Sequence, residues 1–305
     1  MTVARTTRAI GLGLGGAVLA TAGVAGTRRL LHAQAGAARR AIGKPLGEEA
    51  HHPARTYRRK HGSPLTLVLL GDSIAAGLGA TRPRHTLGVQ LAKRLGKVAG
   101  RAVRLVPCAE VGAESSWLAR QVESIPDDVV PDVAVIVVGG NDVTHRVRVA
   151  DSVTALEEAV VALRARGAEV VVGTCPDLGA LLLVPQPLRG LARQASRRLA
   201  VAQRDAVVDS GGYAVSLSHV VGPQFVSDPA DMFALDRFHP SGAGYRRIAS
   251  AMLPSVLVAL ELSVDLPPGH HPPRVAPASR WLAVVSAPRP RLGGPLPSPW
   301  RSTQP

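Results

Sequence analysis

The stretch Leu65-Thr66-Leu67-Val68-Leu69-Leu70-Gly71-Asp72-Ser73 decides the fold. Its first six residues are apolar apart from Thr66, and a short run of this kind is typical of a strand buried within a parallel sheet. The strand ends abruptly in a glycine, a carboxylate and a hydroxyl. Open α/β sheets place their chemistry at the carboxyl ends of strands. Ser73 is therefore either a reactive group or part of an ordinary helix cap, and the tripeptide alone does not separate these alternatives.

Strands and amphipathic helices alternate after this point. Further strands are predicted at 103–106, 133–138, 169–173 and 213–217, and helices at 87–98, 115–125, 153–166, 188–208 and 241–262. The run 133–138 is apolar without interruption, so we place it in the centre of the sheet. This alternation predicts a three-layer α/β/α sandwich around a parallel five-stranded sheet.

The net charge of the chain lies at its two ends. The 305 residues carry 36 Lys/Arg and 22 Asp/Glu, a formal net charge of +14. Residues 1–65 account for +9 and residues 266–305 for +5, which leaves residues 66–265 neutral. Nucleic-acid-binding proteins concentrate positive charge on the folded domain, so this pattern argues against DNA or RNA binding. Basic ends fit contact with anionic lipid headgroups, or solubility alone.

Residues 9–27 are apolar, rich in glycine and alanine, and flanked by arginines. Their length is just enough to cross a bilayer as a helix. The segment is either a membrane anchor or a secretory signal, and we favour the anchor because the basic residues that follow resist translocation. We therefore predict an anchor or signal within residues 1–30 and a membrane-associated or exported protein, on a side of the membrane that the sequence leaves open.

The remaining composition sets the domain bounds. Residues 31–64 are polar and basic and predict a linker, 65–265 form the folded domain, and the proline-rich residues 266–305 predict a disordered tail. We predict no cofactor, because the Gly11-x-Gly13-x-x-Gly16 pattern follows no strand and has no acidic residue about 20 residues on. The cysteines and histidines lack metal-ligand spacing, so we also predict no metal.

Three later motifs fall at loops where the predicted sheet would converge them. Gly112 follows the second strand, Asn141 follows the third in Gly139-Gly140-Asn141-Asp142, and Asp236-Arg237-Phe238-His239-Pro240 precedes the closing helix. A serine nucleophile needs a base, and histidine suits that role. The three-residue spacing of Asp236 and His239 lets the carboxylate reach Nδ1 of the imidazole and fix its tautomer. Backbone N–H groups of Ser73 and Gly112 and the amide of Asn141 would stabilise negative charge on a substrate oxygen.

In order and approximate spacing over residues 65–262, these four blocks resemble those of SGNH (GDSL-type) hydrolases. The resemblance implies a flavodoxin-like sandwich with strand order 2-1-3-4-5, and ester or thioester hydrolysis through an acyl-enzyme. It implies that Ser73 is the nucleophile, His239 the base and Asp236 its partner. It also implies an oxyanion hole formed by Ser73, Gly112 and Asn141. The second block departs from the usual pattern, since Cys108-Ala109-Glu110-Val111 precede its glycine.

The implied strand order bears on the two cysteines. Cys108 follows the second strand and Cys175 the fourth, so two strands lie between them. At three steps of ~4.8 Å they would be about 14 Å apart. A disulfide needs Cα atoms within about 7 Å, so we predict two free thiols.

Some alternatives stay open. His219 is a rival base without an acid three residues before it, Asp231 is a rival to Asp236, and Asp142 fits a cap better than a catalytic role. The apolar run 178–184 either binds an acyl group or forms a buried turn.

We expect a monomeric serine esterase or lipase that acts on a small-molecule or lipid-like acyl ester, with membrane contact through residues 9–27. The alternatives are a thioesterase, a lysophospholipase, a carbohydrate deacetylase or a non-catalytic envelope-binding domain.

Overall fold

The computed structural model describes residues 25–43, 50–51 and 54–274. Within them, seven strands form one sheet: β1 (Arg55–Tyr57), β2 (Leu65–Gly71), β3 (Val103–Pro107), β4 (Val133–Val137), β5 (Glu169–Gly173), β6 (Tyr213–Val215) and β7 (His270–His271). The helices are α1 (25–42), α2 (Ser73–Ala76), α3 (Leu87–Ala99), α4 (Leu118–Glu123), α5 (Gly140–His145), α6 (Val149–Ala165), α7 (Leu188–Asp209), α8 (Leu217–Val220), α9 (Gly222–Ser227), α10 (Pro229–Met232) and α11 (Gly242–Ala259).

The sheet has the order β1-β3-β2-β4-β5-β6-β7. Its five middle strands are parallel, so the predicted α/β sandwich and its strand order are confirmed. The short outer strands β1 and β7 pair antiparallel at the two edges, which makes the sheet mixed and larger than the predicted five strands. Two or three partly polar residues carry too little periodicity for the sequence to mark such strands.

The two faces of the sheet carry separate apolar clusters. Every residue of β2 and β4 is buried, and side chains alternate between the faces as a strand requires. Leu67 and Leu69 pack with α3 and α11 on one face. Val68 and Leu70 pack with α4, α6 and α7 on the other. β2 therefore lies in the middle of three layers, and helices on both faces of the sheet hold its carboxyl end.

The folded region extends beyond the predicted bounds 65–265. β1 lies within the predicted linker 31–64, and β7 lies within the predicted tail 266–305, because each edge of the sheet takes up a further short strand. Residues 31–42 of the predicted linker belong to α1, which begins at residue 25 within the predicted segment 1–30. The predicted strand 213–217 ends at Val215, and α8, α9 and α10 fill the segment before α11. Both Cys108 and Cys175 are free, as predicted.

Most of the predicted anchor segment 9–27 lies outside the described residues, as do residues 275–305 of the predicted tail. Across the helices that the structure does describe, none combines the length and the apolar character needed to cross a bilayer.

Candidate active site

The turn after β2 requires a glycine at its first position. Gly71 has φ +124°, and a Cβ on it would lie 1.9 Å from the carbonyl oxygen of Val137 in the neighbouring strand β4. The fully buried Gln121 of α4 accepts a hydrogen bond from the Gly71 N–H at 2.8 Å and donates one to its carbonyl at 2.9 Å. The N–H of Asp72 donates to Val137 at 2.9 Å. The turn is thus fixed by backbone contacts, and it places Ser73 at the first position of α2.

Asp72, and not Ser73, caps α2. Its Oδ1 accepts the N–H of Ile74 at 2.9 Å, and its carboxylate also accepts the N–H of Gly140 at the start of α5. Burial raises the pKa of Asp72 to about 7, and the nearby carboxylate of Asp142 acts in the same direction. The hydrogen bonds and the neighbouring His239 oppose this shift. Asp72 therefore ties the turn that carries Ser73 to the turn that carries Asn141, and leaves the Ser73 hydroxyl free for another partner.

That partner is His239. Its Nε2 lies 3.1 Å from Oγ of Ser73, and its Nδ1 lies 2.6 Å from Oδ2 of Asp236. Because the carboxylate accepts the proton of Nδ1, Nε2 is left as the acceptor that faces the serine hydroxyl. The structure thus joins Asp236, His239 and Ser73 in one hydrogen-bonded chain, in the order that proton transfer from a serine requires.

Local turn chemistry fixes the Asp236–His239 loop. Oδ1 of Asp236 accepts the backbone N–H groups of Phe238 and His239, each at 3.0 Å. Burial of Asp236 acts to raise its pKa, but these hydrogen bonds and His239 outweigh burial, and the pKa lies below its ordinary value. The loop packs against Gly79, where a Cβ would lie 2.5 Å from the carbonyl oxygen of Pro240. The carboxylate of Asp236 is therefore kept charged. The absence of a side chain at Gly79 lets the loop that carries it pack closely against the backbone there.

Asn141 and Asp142 of α5 hold the loop that contains Gly112. Nδ2 of Asn141 donates to the carbonyl of Ala113 at 2.9 Å, which leaves its second amide hydrogen for another acceptor. Both carboxylate oxygens of the buried Asp142 accept the N–H of Ser115 at 3.2 Å. The sequence predicts that Asp142 caps the segment after it. In the structure Asp142 instead caps a turn 27 residues earlier in the chain.

The rival residues lie elsewhere. His219 is exposed on α8, beside the edge strand β7, and Asp231 is exposed on α10. Among the described residues, the groups hydrogen-bonded to the imidazole of His239 are Ser73 and Asp236. Sequence reasoning missed Gln121, because a single glutamine in a short helix carries no motif.

One cavity opens at Ser73, Asn141 and His239, and most of its lining is apolar. All three phenylalanines of the chain line it, as do Leu178 and Leu181 from the apolar run that the sequence left open. Gly112 has φ +85° and is not among the residues that line this cavity. The sequence offered a signal for this wall, since its only phenylalanines all lie between residues 225 and 238, just before His239. Within the described part of the chain, no cluster of three or more His, Cys, Asp and Glu side chains could hold a metal ion.

The sequence profile of the GDSL-like Lipase/Acylhydrolase family matches residues 69–247, which is more than half of the chain. The chain belongs to this family. It is 39% identical over 276 residues to the GDSL-like esterase Rv1075c of Mycobacterium tuberculosis, covering 86% of this chain and 87% of that protein.

Two solved structures share the fold of this GDSL-type hydrolase. The crystal structure of TesA aligns with a TM-score of 0.52 at 25% identity and covers 64% of this chain and 99% of TesA. A lipase/acylhydrolase from Enterococcus faecalis aligns with a TM-score of 0.50 at 20% identity over 66% of this chain and 100% of that one. Family and relative together make the protein a serine-esterase-type hydrolase that acts on ester bonds.

Proposed function

We propose that the protein cleaves carboxylic esters through an acyl-enzyme on Ser73. The observation that carries this proposal is the hydrogen-bonded chain Asp236–His239–Ser73, which opens into an apolar cavity. Oγ of Ser73 attacks the ester carbonyl carbon while Nε2 of His239 takes the hydroxyl proton. The charged carboxylate of Asp236 stabilises the imidazolium that results. His239 then gives this proton to the departing alcohol oxygen, and the acyl group stays on Ser73.

The second half of the reaction uses the same groups in reverse. Water enters, Nε2 of His239 removes its proton, and the hydroxide attacks the acyl carbon. The carboxylic acid leaves and Ser73 regains its hydroxyl proton. Each step passes through a tetrahedral oxyanion that needs donors placed in advance. The N–H of Ser73 has no acceptor within α2 because it is the first residue of the helix, and it serves together with the second amide hydrogen of Asn141. The family resemblance implies the N–H of Gly112 as a third donor, but Gly112 does not line the cavity, so the proposal rests on the other two.

The lining of the cavity favours an aliphatic acyl group over a sugar-borne acetyl group. Phe225 and Phe233 meet edge to face with ring centroids 5.0 Å apart, and Leu178, Leu181 and Ile248 complete an apolar wall. Such a wall gains free energy from each buried methylene group, about 0.8 kcal/mol. A carbohydrate substrate would instead need hydrogen-bonding groups along the wall. A thioesterase would use the same groups in the same way, so the leaving group is a question for experiment.

The proposal is tested by a series of p-nitrophenyl esters from acetate to octanoate, with an octanoyl thioester beside them. Ser73→Ala should abolish hydrolysis of every substrate while the thermal unfolding temperature stays close to wild type. Ser250→Ala removes an exposed hydroxyl on α11 by the same substitution and should retain full activity. Wild-type rates in Ser73→Ala would overturn the mechanism. A wild-type protein that is inactive on all substrates would favour the non-catalytic binding domain.

We propose that the segment 9–27 holds the protein at a membrane. We also propose that the protein is a monomer. The support is the apolar run itself together with α1, which carries four exposed arginines and no acidic residue. Cell fractionation should find the full chain in the membrane pellet, and a chain without residues 1–24 in the supernatant. Recovery of both chains in the supernatant, or a dimer by light scattering, would contradict the respective part of this proposal.

A further inference from the structure

α1 lies outside the part of the chain that the family profile matches, yet it packs beside the cavity. The profile matches residues 69–247, whereas α1 spans 25–42. Ala38 of α1 is only 7% exposed, and it forms one buried cluster with Leu178, Leu181 and Val184. Ala37, its neighbour in the helix, is exposed. One side of α1 is thus docked on the segment 178–188, and the adjoining side that carries Ala37 faces solvent.

Gln34 joins α1 to the end of the same segment by two hydrogen bonds. Its Nε2 donates to the carbonyl of Gln186 at 2.5 Å, and its Oε1 accepts the N–H of Leu188 at 3.1 Å. Leu188 is the first residue of α7, so its N–H has no acceptor within that helix. The residue before it, Pro187, supplies no side-chain cap. A side chain more than 150 positions away in sequence therefore caps α7.

The docked segment is a wall of the cavity. Leu178 and Leu181 contact α1 through the Ala38 cluster, and they also line the cavity. Phe233 and Phe238 line the cavity too, and they pack against the same cluster. A single layer of side chains therefore separates α1 from the space that receives the substrate.

We infer that α1 determines which acyl groups the enzyme accepts, because Gln34 and Ala38 hold the segment 178–188 in the position that shapes the apolar wall. This inference rests on the proposed function for the identity of the ligand. Gln34 and Ala38 are positioning residues, since neither of them lines the cavity. Ser73, His239 and Asn141 are held by contacts that do not involve α1, so the chemical step on a short acyl group is independent of it.

The test uses Gln34→Ala and Ala38→Glu in the full chain, with Ala37→Glu as the matched control on the exposed side of α1. Loss of one or two hydrogen bonds changes the ratio of molecules with α1 docked on the segment 178–188 to molecules with α1 released by about five- to thirtyfold. We expect a rise in KM for p-nitrophenyl octanoate of about fivefold or more in both test variants, with kcat for the acetate ester within about twofold of wild type. Ala37→Glu should match wild type on both esters.

Two further measurements do not depend on turnover. Hydrogen exchange of the segment 178–188 should become faster in both test variants, while exchange in β4 stays unchanged. Octanoate, the hydrolysis product, should bind the wild-type protein and bind the test variants about fivefold or more weakly. These measurements separate the two proposals: if no ester is hydrolysed, the proposed function fails, and octanoate binding still decides the role of α1.

Three results would overturn the inference. The first is an unchanged KM for octanoate in Gln34→Ala, because α1 would then hold the segment without shaping the cavity. The second is an equal rise in KM for acetate and octanoate, which would indicate general loosening of the site. The third is a wild-type protein with no affinity for octanoate. If Ala38→Glu does not fold, Gln34→Ala alone carries the test.

Discussion

At the polar end of the cavity, Ser73, Asn141 and His239 are fixed by hydrogen bonds within short turns at the ends of strands and helices. At the apolar end, the wall is assembled from α1, the segment 178–188, and α8–α10, which lie far apart in sequence. The polar end depends on geometry of a few tenths of an ångström, because proton transfer and oxyanion binding need aligned donors and acceptors. The apolar end depends on packing, which tolerates change more gradually. Substitutions at the two ends should therefore differ in size and in the kinetic constant they alter.

The largest effect is expected from Asp236→Asn. The amide cannot stabilise an imidazolium, and its NH₂ group would favour the wrong tautomer of His239. We expect kcat to fall by about 10⁴-fold with KM little changed. Asp231→Asn makes the same substitution at an exposed carboxylate a few residues away and should keep wild-type kinetics. A mild loss in Asp236→Asn together with a severe loss in Asp231→Asn would reverse the assignment of the two carboxylates.

The next effect concerns Asn141, the only asparagine of the chain. Asn141→Ala removes one proposed oxyanion donor, so kcat should fall by about 10²–10³-fold. The loss should be the same for acetate and octanoate esters, since the oxyanion does not depend on the acyl chain. Steady-state kinetics on both esters checks this. A rise in KM with unchanged kcat would show instead that Asn141 acts only by holding Ala113.

The sequence was most informative at the polar end. Gly71, Asp72 and Ser73 follow a continuous apolar strand. The three-residue spacing of Asp236 and His239 is what allows their side chains to form a hydrogen bond within one loop. The alternation of strands and helices left only a few possible topologies, and the strand order itself came from the family resemblance. Local patterns of this kind are readable since each residue's neighbours in space are also its neighbours in sequence.

The apolar wall and the contacts between distant segments could not be predicted in the same way. Gln34 caps α7 and Asp142 caps a turn near Ser115, and both contacts join segments that no local pattern relates. The edge strand β7 pairs only through two residues, too few for a periodic signal. The clustering of phenylalanines before His239 was a visible hint, but it became interpretable only once Phe225 and Phe233 were placed on one cavity.

A smaller effect is expected at that wall from Phe233→Ala. Removing a ring that contacts the bound chain should lower kcat/KM for octanoate by about five- to thirtyfold, the effect of 1–2 kcal/mol. Hydrolysis of the acetate ester should change by less than about twofold, because an acetyl group buries little apolar area against the wall. Leu235→Ala, at a side chain that is 82% exposed, is the control and should leave both substrates unaffected. Equal losses on both esters would show that Phe233 acts on the catalytic groups at the polar end of the cavity and not on binding of the acyl chain.

The last effect is on stability and leaves catalysis aside: the free energy of unfolding should depend on pH through Asp72. Burial raises the pKa of this carboxyl from 3.8 to about 7, so between those values the folded protein holds a proton that the unfolded chain has lost. Stability contributed by Asp72 is thus present at low pH and falls as pH rises towards 7, by at most about 1.4 kcal/mol per pH unit.

Asp72→Asn does not titrate at this position and should lack that slope. Denaturant unfolding of both proteins at pH 4, 5.5, 7 and 8 measures the difference in their free energies of unfolding. We expect the advantage of wild type over Asp72→Asn to shrink as pH rises and to level off above pH 7. The neighbouring Asp142 and His239 are present in both proteins, so the difference between the two curves isolates the change at position 72. Parallel stability curves would mean that Asp72 is ionised in the folded protein throughout this range, held charged by the N–H groups of Ile74 and Gly140 despite its burial.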